Sequence, residues 1–208
     1  MSEFARLAGQ QCPPQESLAL ELAAELGVDG VALSAARRSL GVLARGLGDV
    51  RSPGEQLEAL RALAARVLRP RRDGALLLPE VLREGRGHPV GVAVALVAVA
   101  QRAGWPVDLV GHNLRLYVAH RGHGPGAVVD PSRVEALLDP RELGEDLSWR
   151  CAHEATGVVL RQVTTAAERS GDLTRSLTAS ALLLALPVDG TSRAAQTAMH
   201  QRLLSRLN

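Results

Sequence analysis

Residues 86–106 read R-G-H-P-V-G-V-A-V-A-L-V-A-V-A-Q-R-A-G-W-P, and this apolar run decides the fold. Valines alternate with alanines as in a buried strand, but the run is longer than an ordinary strand and rich in alanine, the best helix former. Pro89 suits the first turn of a helix and Gly104 its end. The run therefore predicts a helix that is buried on every side. It is shorter than the roughly 20 apolar residues that a membrane span needs.

The composition excludes several classes of protein. The chain has 208 residues, enough for one domain with an extension or for two small domains. All 24 basic residues are arginines, but they are spread along the chain and balanced by 22 acidic residues, so we expect no nucleic-acid partner. Two cysteines cannot form a disulfide framework, and residues 1–11 lack a signal-peptide pattern. We expect a cytoplasmic protein with no membrane partner.

Apolar residues at helical spacing precede the central run. They predict three helices within residues 15–68 and a short helix over residues 76–84. The charged connector R-P-R-R-D-G, residues 69–74, is either a phosphate-binding patch or a solvated loop, and we favour the loop.

Three short β-type runs follow the central helix, at residues 107–110, 114–119 and 127–129. They predict a small antiparallel sheet packed on the buried helix, so the expected fold class is α+β and mostly helical. The last two runs are separated by the turn-rich residues 120–126, which we expect to form a solvated hairpin loop.

The chain is predicted to be helical again from Glu135 onward. The first helix covers about residues 149–168, the second reaches Leu186, and the last begins near Thr191 or Ser192. One side of the last helix is expected to carry Ala195, Met199, Leu203 and Leu207.

Three regions follow from these elements. Residues 1–74 are expected to form a helical bundle, 75–147 the core, and 148–208 a helical hairpin with a closing helix. We expect the three to form one compact unit.

The order of the motifs matches that of papain-like thiol enzymes. Those enzymes hold a nucleophilic cysteine at a helix N-terminus, a histidine on an adjacent strand, and an aspartate or asparagine on the next strand. Here the buried helix follows Gly87, one strand is predicted to begin at His112, and another to end at Asp130.

The motifs resemble the SirB-type branch of the transglutaminase-like superfamily. The resemblance is carried by residues 86–106, by V-G-H-N-L-R-L-Y-V-A-H at 110–120, and by V-V-D-P-S at 128–132. That branch typically reads R-R-G-I-P-I-S-L, then G-L-P, then P-G-H-F and I-D-P-F. Similar segments flank these motifs, from L-L-P-E-V-L to A-L-L-L-A-L-P, so the resemblance spans most of the chain. It implies a papain-like, transglutaminase-like core.

The resemblance also implies roles for single residues. His112 corresponds to the superfamily's catalytic histidine and Asp130 to its orienting aspartate. Gly87 corresponds to the glycine of the G-x-C signature, which puts Pro89 at the position of the nucleophile. Proline has no thiol, hydroxyl or N–H, and the SirB-type serine two residues on is Gly91 here. The resemblance therefore implies a scaffold without its nucleophile.

The remaining cleft residues by this resemblance are His88, Gly91 and Asn113, the last of which replaces the motif's phenylalanine. Two interpretations of His112 and Asp130 stay open. They act as an acid–base pair on a bound water or ligand, or their hydrogen bond only fixes the strand register. We favour the second, because a dyad without a nucleophile or metal has little to activate.

Other candidate chemistry is weaker. Neither Cys12 nor Cys151 has a sequence-level reason to approach His112 and replace the nucleophile. The pair His120 and His123 has the spacing of metal ligands, but no cysteine or carboxylate cluster accompanies it. We predict no metal site and no cofactor.

These observations lead to three hypotheses of function. The first is a catalytically inactive transglutaminase-like protein that binds a protein or peptide partner through the cleft or the C-terminal helices. The second is a hydrolase or isomerase that uses His112 and Asp130 with water or a cofactor. The third is a structural subunit whose cleft is filled. The oligomeric state stays open.

Overall fold

The computed structural model describes residues 2–143, 146–187 and 190–206. The helices are α1 Glu3–Ala8, α2 Gln15–Glu25, α3 Gly30–Gly46, α4 Pro53–Arg66, α5 Leu78–Glu84, α6 Pro89–Arg102, α7 Ala152–Ser170, α8 Leu173–Ala185 and α9 Gly190–Leu204. The strands are β1 Arg69–Pro70, β2 Arg86–Gly87, β3 Val107–His112, β4 Arg115–His120, β5 Gly124–Asp130, β6 Arg133–Leu138 and β7 Ser148–Arg150, with a 3-10 helix at Pro140–Leu143. The predicted α+β class is confirmed.

Helix α6 lies at the centre of the molecule, as its apolar sequence predicts. His88 caps its first turn, and the Nδ1 atom of that side chain accepts a hydrogen bond from the Val90 N–H at 3.3 Å. Every residue from Val90 to Ala100 is buried, because helices α2 to α5 and strands β3 and β4 pack around α6. Gly104 follows the helix at φ +76°, a left-handed conformation that favours glycine.

Two glycines at the start of α6 allow the preceding segment to pack very closely. A Cβ atom on Gly87 would lie 2.6 Å from Val81 Cγ2 and 2.9 Å from the Ala75 carbonyl oxygen. A Cβ atom on Gly91 would lie 2.8 Å from the Leu76 carbonyl oxygen. Both glycines are therefore required by packing, since any side chain there would displace backbone or buried atoms.

Five strands form an antiparallel sheet in the order β6-β5-β4-β3-β7. One face packs into the main core with α6 and carries Val107, Leu109, Leu116, Val118 and Val129. The opposite face carries a second apolar cluster of Val110, Tyr117, Ala119 and Val128. Alternate residues of each strand thus serve opposite faces, as strand geometry requires.

Two predictions about the strands are wrong. The chain is not helical from Glu135 onward, because β6 and β7 form the two edges of the sheet and α7 begins only at Ala152. Pairing with β5 and β3 overrides the weak strand propensity of these segments. Also, no strand begins at His112; β3 ends there, and Asn113 turns the chain at φ +51°.

The helices outside the core agree with their sequence patterns, with two differences. Helices α2 to α5 match the four predicted before residue 85, whereas α1 was not predicted. At the other end, Gly171 ends α7 at φ +75°, and Asp172 caps α8 by accepting a hydrogen bond from the Arg175 N–H at 2.9 Å. On α9, Ala195 is exposed and Gln196 is buried instead, while Leu203 is buried as expected. Leu207 lies outside the described residues.

The main core cluster takes residues from all three predicted regions, for example Phe4, Leu96 and Leu183. The division into three regions stays a prediction. None of the helices in the described segments is both long and apolar enough for a membrane span.

Candidate functional site

A cavity of about 540 Å³ opens at the N-terminal end of α6. Its walls come from the segment after β1, the first turn of α6, the start of β4, the end of β5, and helix α7. Pro89 and Asp130, two of the residues implied by the resemblance, line it together with His88. The volume falls within the range of about 300–1,000 Å³ typical of small-ligand pockets.

The cavity is lined by five arginines: Arg71, Arg72, Arg115, Arg133 and Arg169. Arg71 is paired with Asp73, with 3.0 Å between Nη2 and Oδ2, but the other four form no ion pair within the described part of the chain. Asp130 is the one acidic residue among the described lining residues. The cavity therefore offers guanidinium groups that can bind an anion.

His88 stays neutral at the edge of this cavity. Burial, and secondarily the positive charge of Arg169, hold the pKa of His88 below its ordinary value. Its Nδ1 atom must be unprotonated, because it accepts the hydrogen bond from the Val90 N–H. His88 thus caps α6 and adds a neutral polar wall to a basic cavity.

The first turn of α6 carries neither a thiol nor a hydroxyl group. Pro89 occupies the first position of the helix and lines the cavity, and Gly91 has no room for even a Cβ atom. Asp130 is buried, at 3% exposure, and its Oδ1 accepts a hydrogen bond from the Ser132 N–H at 2.7 Å. The carboxylate is therefore held in a turn at the end of β5.

His112 is not among the residues that line this cavity. It is the last residue of β3 and pairs in register with Arg115, which does line the cavity. The expected hydrogen bond between His112 and Asp130 is not formed within the described residues, so it does not fix the strand register. Any catalytic role of either residue stays a prediction.

Asn113 does not line this cavity either. It forms the turn after β3 and lines a different cavity, beside helix α7. Of the residues implied by the resemblance, the structure thus brings His88, Pro89 and Asp130 to one cavity, and leaves Gly91, His112 and Asn113 outside its lining.

The arginines of the cavity were not identified as site residues from the sequence. Arg71 and Arg72 belong to the charged connector that we interpreted as a solvated loop, yet both line the cavity. The run R-P-R-R was the available signal. Arg115, Arg133 and Arg169 are far apart in the chain, and no local pattern joins them.

The two cysteines do not reach this site. Cys12 and Cys151 are both exposed, and neither belongs to the lining of the cavity. In the segments that the structure describes, no three histidine, cysteine or acidic residues are grouped as a metal site would require.

His120 is buried rather than part of a solvated loop, which corrects the prediction for the start of residues 120–126. Its Nδ1 accepts a hydrogen bond from the Gly122 N–H at 2.9 Å, so its Nε2 carries the proton and donates to Gln56 Oε1 at 3.0 Å. Both ring nitrogens are therefore occupied, and neither is available to a metal.

Comparison with known families identifies the transglutaminase-like superfamily. The model of the transglutaminase-like superfamily matches residues 39–183, which is more than half of the chain. The matched range includes every residue that lines the arginine-rich cavity. No curated protein and no solved structure gives a match.

Proposed function

Since this chain belongs to the transglutaminase-like superfamily, we propose that it is a member that binds rather than transfers acyl groups. Its ligand is an acidic segment of a peptide or protein, and the cavity at the start of α6 receives the carboxylates. The observation that carries this proposal is the set of five arginines around one cavity, four of them without an ion pair among the described residues.

Guanidinium groups suit this ligand. They present several N–H donors in a plane, which matches the two oxygens of a carboxylate, and they remain charged at all physiological pH values. Arginines from β4, β6, α7 and the segment after β1 converge on the cavity, so several carboxylates of one peptide can be contacted at once.

Two observations support the absence of acyl transfer. Pro89 stands at the nucleophile position that the resemblance implies, and Gly91 cannot be replaced by a serine without a clash with the Leu76 carbonyl. The alternative, a hydrolase or isomerase that uses His112 with Asp130, needs the two side chains in one site. They share no hydrogen bond in the described segments, and His112 is not among the cavity's lining residues.

Binding of a fluorescein-labelled tetraglutamate peptide, followed by fluorescence anisotropy, tests the proposal. We expect saturable binding that weakens with added salt, because exposed charges are screened within about 10 Å at 0.1 M ionic strength. Arg133→Gln should weaken the binding about tenfold, which corresponds to about 1.4 kcal/mol.

Two controls make the result decisive. A tetraglutamine peptide has the same length without the side-chain carboxylates and should bind at least tenfold more weakly. Arg51→Gln removes an arginine whose side chain is 87% exposed and lies outside the cavity, so it should leave the affinity unchanged. Equal affinity for the two peptides, or equal losses in the two variants, would refute the proposed function.

A further inference from the structure

A second cavity, of about 350 Å³, lies beside helix α7 at the C-terminal end of the molecule. Residues of α7, the segment after α8, helix α9 and the turn after β3 line it. It shares no lining residue with the arginine-rich cavity. The two cavities are therefore separate candidate sites.

Two buried side chains in its wall have polar atoms without a hydrogen-bond partner in the described part of the chain. His153 is 5% exposed, and its Nε2 has no partner among the residues that the structure describes. Gln196 is also 5% exposed, and within the same described residues both its amide nitrogen and its amide oxygen have none. Buried polar atoms are almost always satisfied, so three such atoms around one cavity indicate a missing polar occupant.

The charge of the cavity wall is also unbalanced. Arg150 is compensated, because its Nη1 donates to Glu154 Oε1 at 2.9 Å and its Nη2 to the Gly111 carbonyl at 3.3 Å. Arg161 makes no ion pair within the part of the chain that the structure describes. Burial, and secondarily the charge of Arg150, hold the pKa of Arg161 below its ordinary value. One positive charge is therefore left for an anionic occupant.

We propose that this cavity binds a small organic carboxylate that also carries an amide or similar hydrogen-bonding group. Arg161 pairs with the carboxylate, while Gln196 and His153 bond to the neutral polar group. The Gln196 amide offers one donor side and one acceptor side, which matches another amide. The volume accommodates a molecule of about the size of an amino acid.

N-Acetylglycine is a suitable probe, because it combines one carboxylate with one amide. We expect it to produce saturable shifts of the NMR signals of the His153 ring and the Gln196 side-chain amide. N-Acetylglycinamide, in which a neutral amide replaces the carboxylate, should bind at least tenfold more weakly. If N-acetylglycine leaves both signals unchanged, the cavity is not a carboxylate site.

Two arginines on the same helix provide matched variants. Arg161→Gln should weaken binding of N-acetylglycine at least tenfold, whereas Arg169→Gln, which alters the other cavity, should leave it unchanged. Equal effects of the two variants would overturn the proposal. The tetraglutamate assay should show the opposite dependence, so the two proposals can fail independently.

A third variant covers the case in which Arg161→Gln does not fold. Gln196→Leu has a similar volume and removes the unpartnered amide. We expect it to maintain or raise the melting temperature of the ligand-free protein while abolishing the probe-induced shift of the His153 signal. A variant that loses stability and retains binding would show that Gln196 serves the fold alone.

Discussion

At the scale of single residues, the start of α6 is shaped by close packing. Pro89 supplies the fixed φ angle of a first helical turn. Its missing N–H costs no hydrogen bond, because N–H groups in the first turn have no partner within the helix. Two positions further on, Gly91 lies against the backbone oxygens of Leu76 and Ala75. The segment before α5 therefore occupies the space in which a side chain on Gly91 would lie.

Gly91→Ala should destabilise the protein. The added Cβ would lie 2.8 Å from the Leu76 oxygen and 3.0 Å from the Ala75 oxygen. Overpacking of this kind costs about 1–3 kcal/mol, and alanine's better helix propensity offsets about 1 kcal/mol of it. Urea unfolding followed by circular dichroism should show a lower midpoint.

Gly54→Ala is the matched control for this prediction. Gly54 lies in the first turn of α4, and a Cβ atom there would meet nothing within 4 Å. The variant should be as stable as the parent or slightly more stable. A loss of stability equal to that of Gly91→Ala would contradict the packing explanation.

At the scale of elements, one arginine connects the end of α6 to two helices of the N-terminal region. Arg102 donates from Nε and Nη2 to the two carboxylate oxygens of Glu16 on α2, at 2.6 Å each. Its Nη1 donates to the Arg37 carbonyl on α3 at 2.9 Å. A bidentate pair with an additional backbone bond is stronger than an ordinary surface ion pair.

Arg102→Lys should therefore lower stability despite retaining the charge, by about 1 kcal/mol, because an ammonium group cannot make the two parallel bonds. A double-mutant cycle with Glu16→Gln, measured by urea unfolding, isolates the pair from its surroundings. The two single losses should not add in the double variant. Full additivity would show that the side chains do not interact.

At the scale of the whole molecule, the half-buried His88 and the buried His120 make stability depend on pH in the same direction. The pKa of His120 is lowered chiefly by burial and secondarily by His123, and the pKa of His88 is lowered by burial and Arg169. Both side chains accept a backbone N–H at Nδ1, which protonation would prevent. The folded state therefore binds fewer protons than the unfolded state.

Stability should fall on acidification. The contribution of the two histidines is fully present above their ordinary pKa of about 6.5 and is lost as the pH falls below that value towards the lowered pKa of the folded state. Urea midpoints at pH 7.5 and pH 5.5 measure the change. His120→Gln should reduce the difference between the two midpoints, and an unchanged difference would exclude His120 as a source.

The sequence by itself determined the buried helix, the α+β class and most of the helix boundaries, because these follow from apolar spacing and from glycine, proline and capping residues that act within a few positions. It also indicated the family through short motifs. Only the tertiary structure decided that His112 and Asp130 share no hydrogen bond and that β6 and β7 are strands, because register and pairing depend on distant partners.

The arginine-rich cavity belongs to the second group. Its charged residues come from segments up to about a hundred positions apart, such as Arg71 and Arg169, and nothing in their local sequence distinguishes them from the other arginines of the surface. The sequence could not identify the atoms of His153 and Gln196 that lack a partner among the described residues either. A hydrogen bond that is missing can be recognised only when every neighbouring donor and acceptor has a position in space.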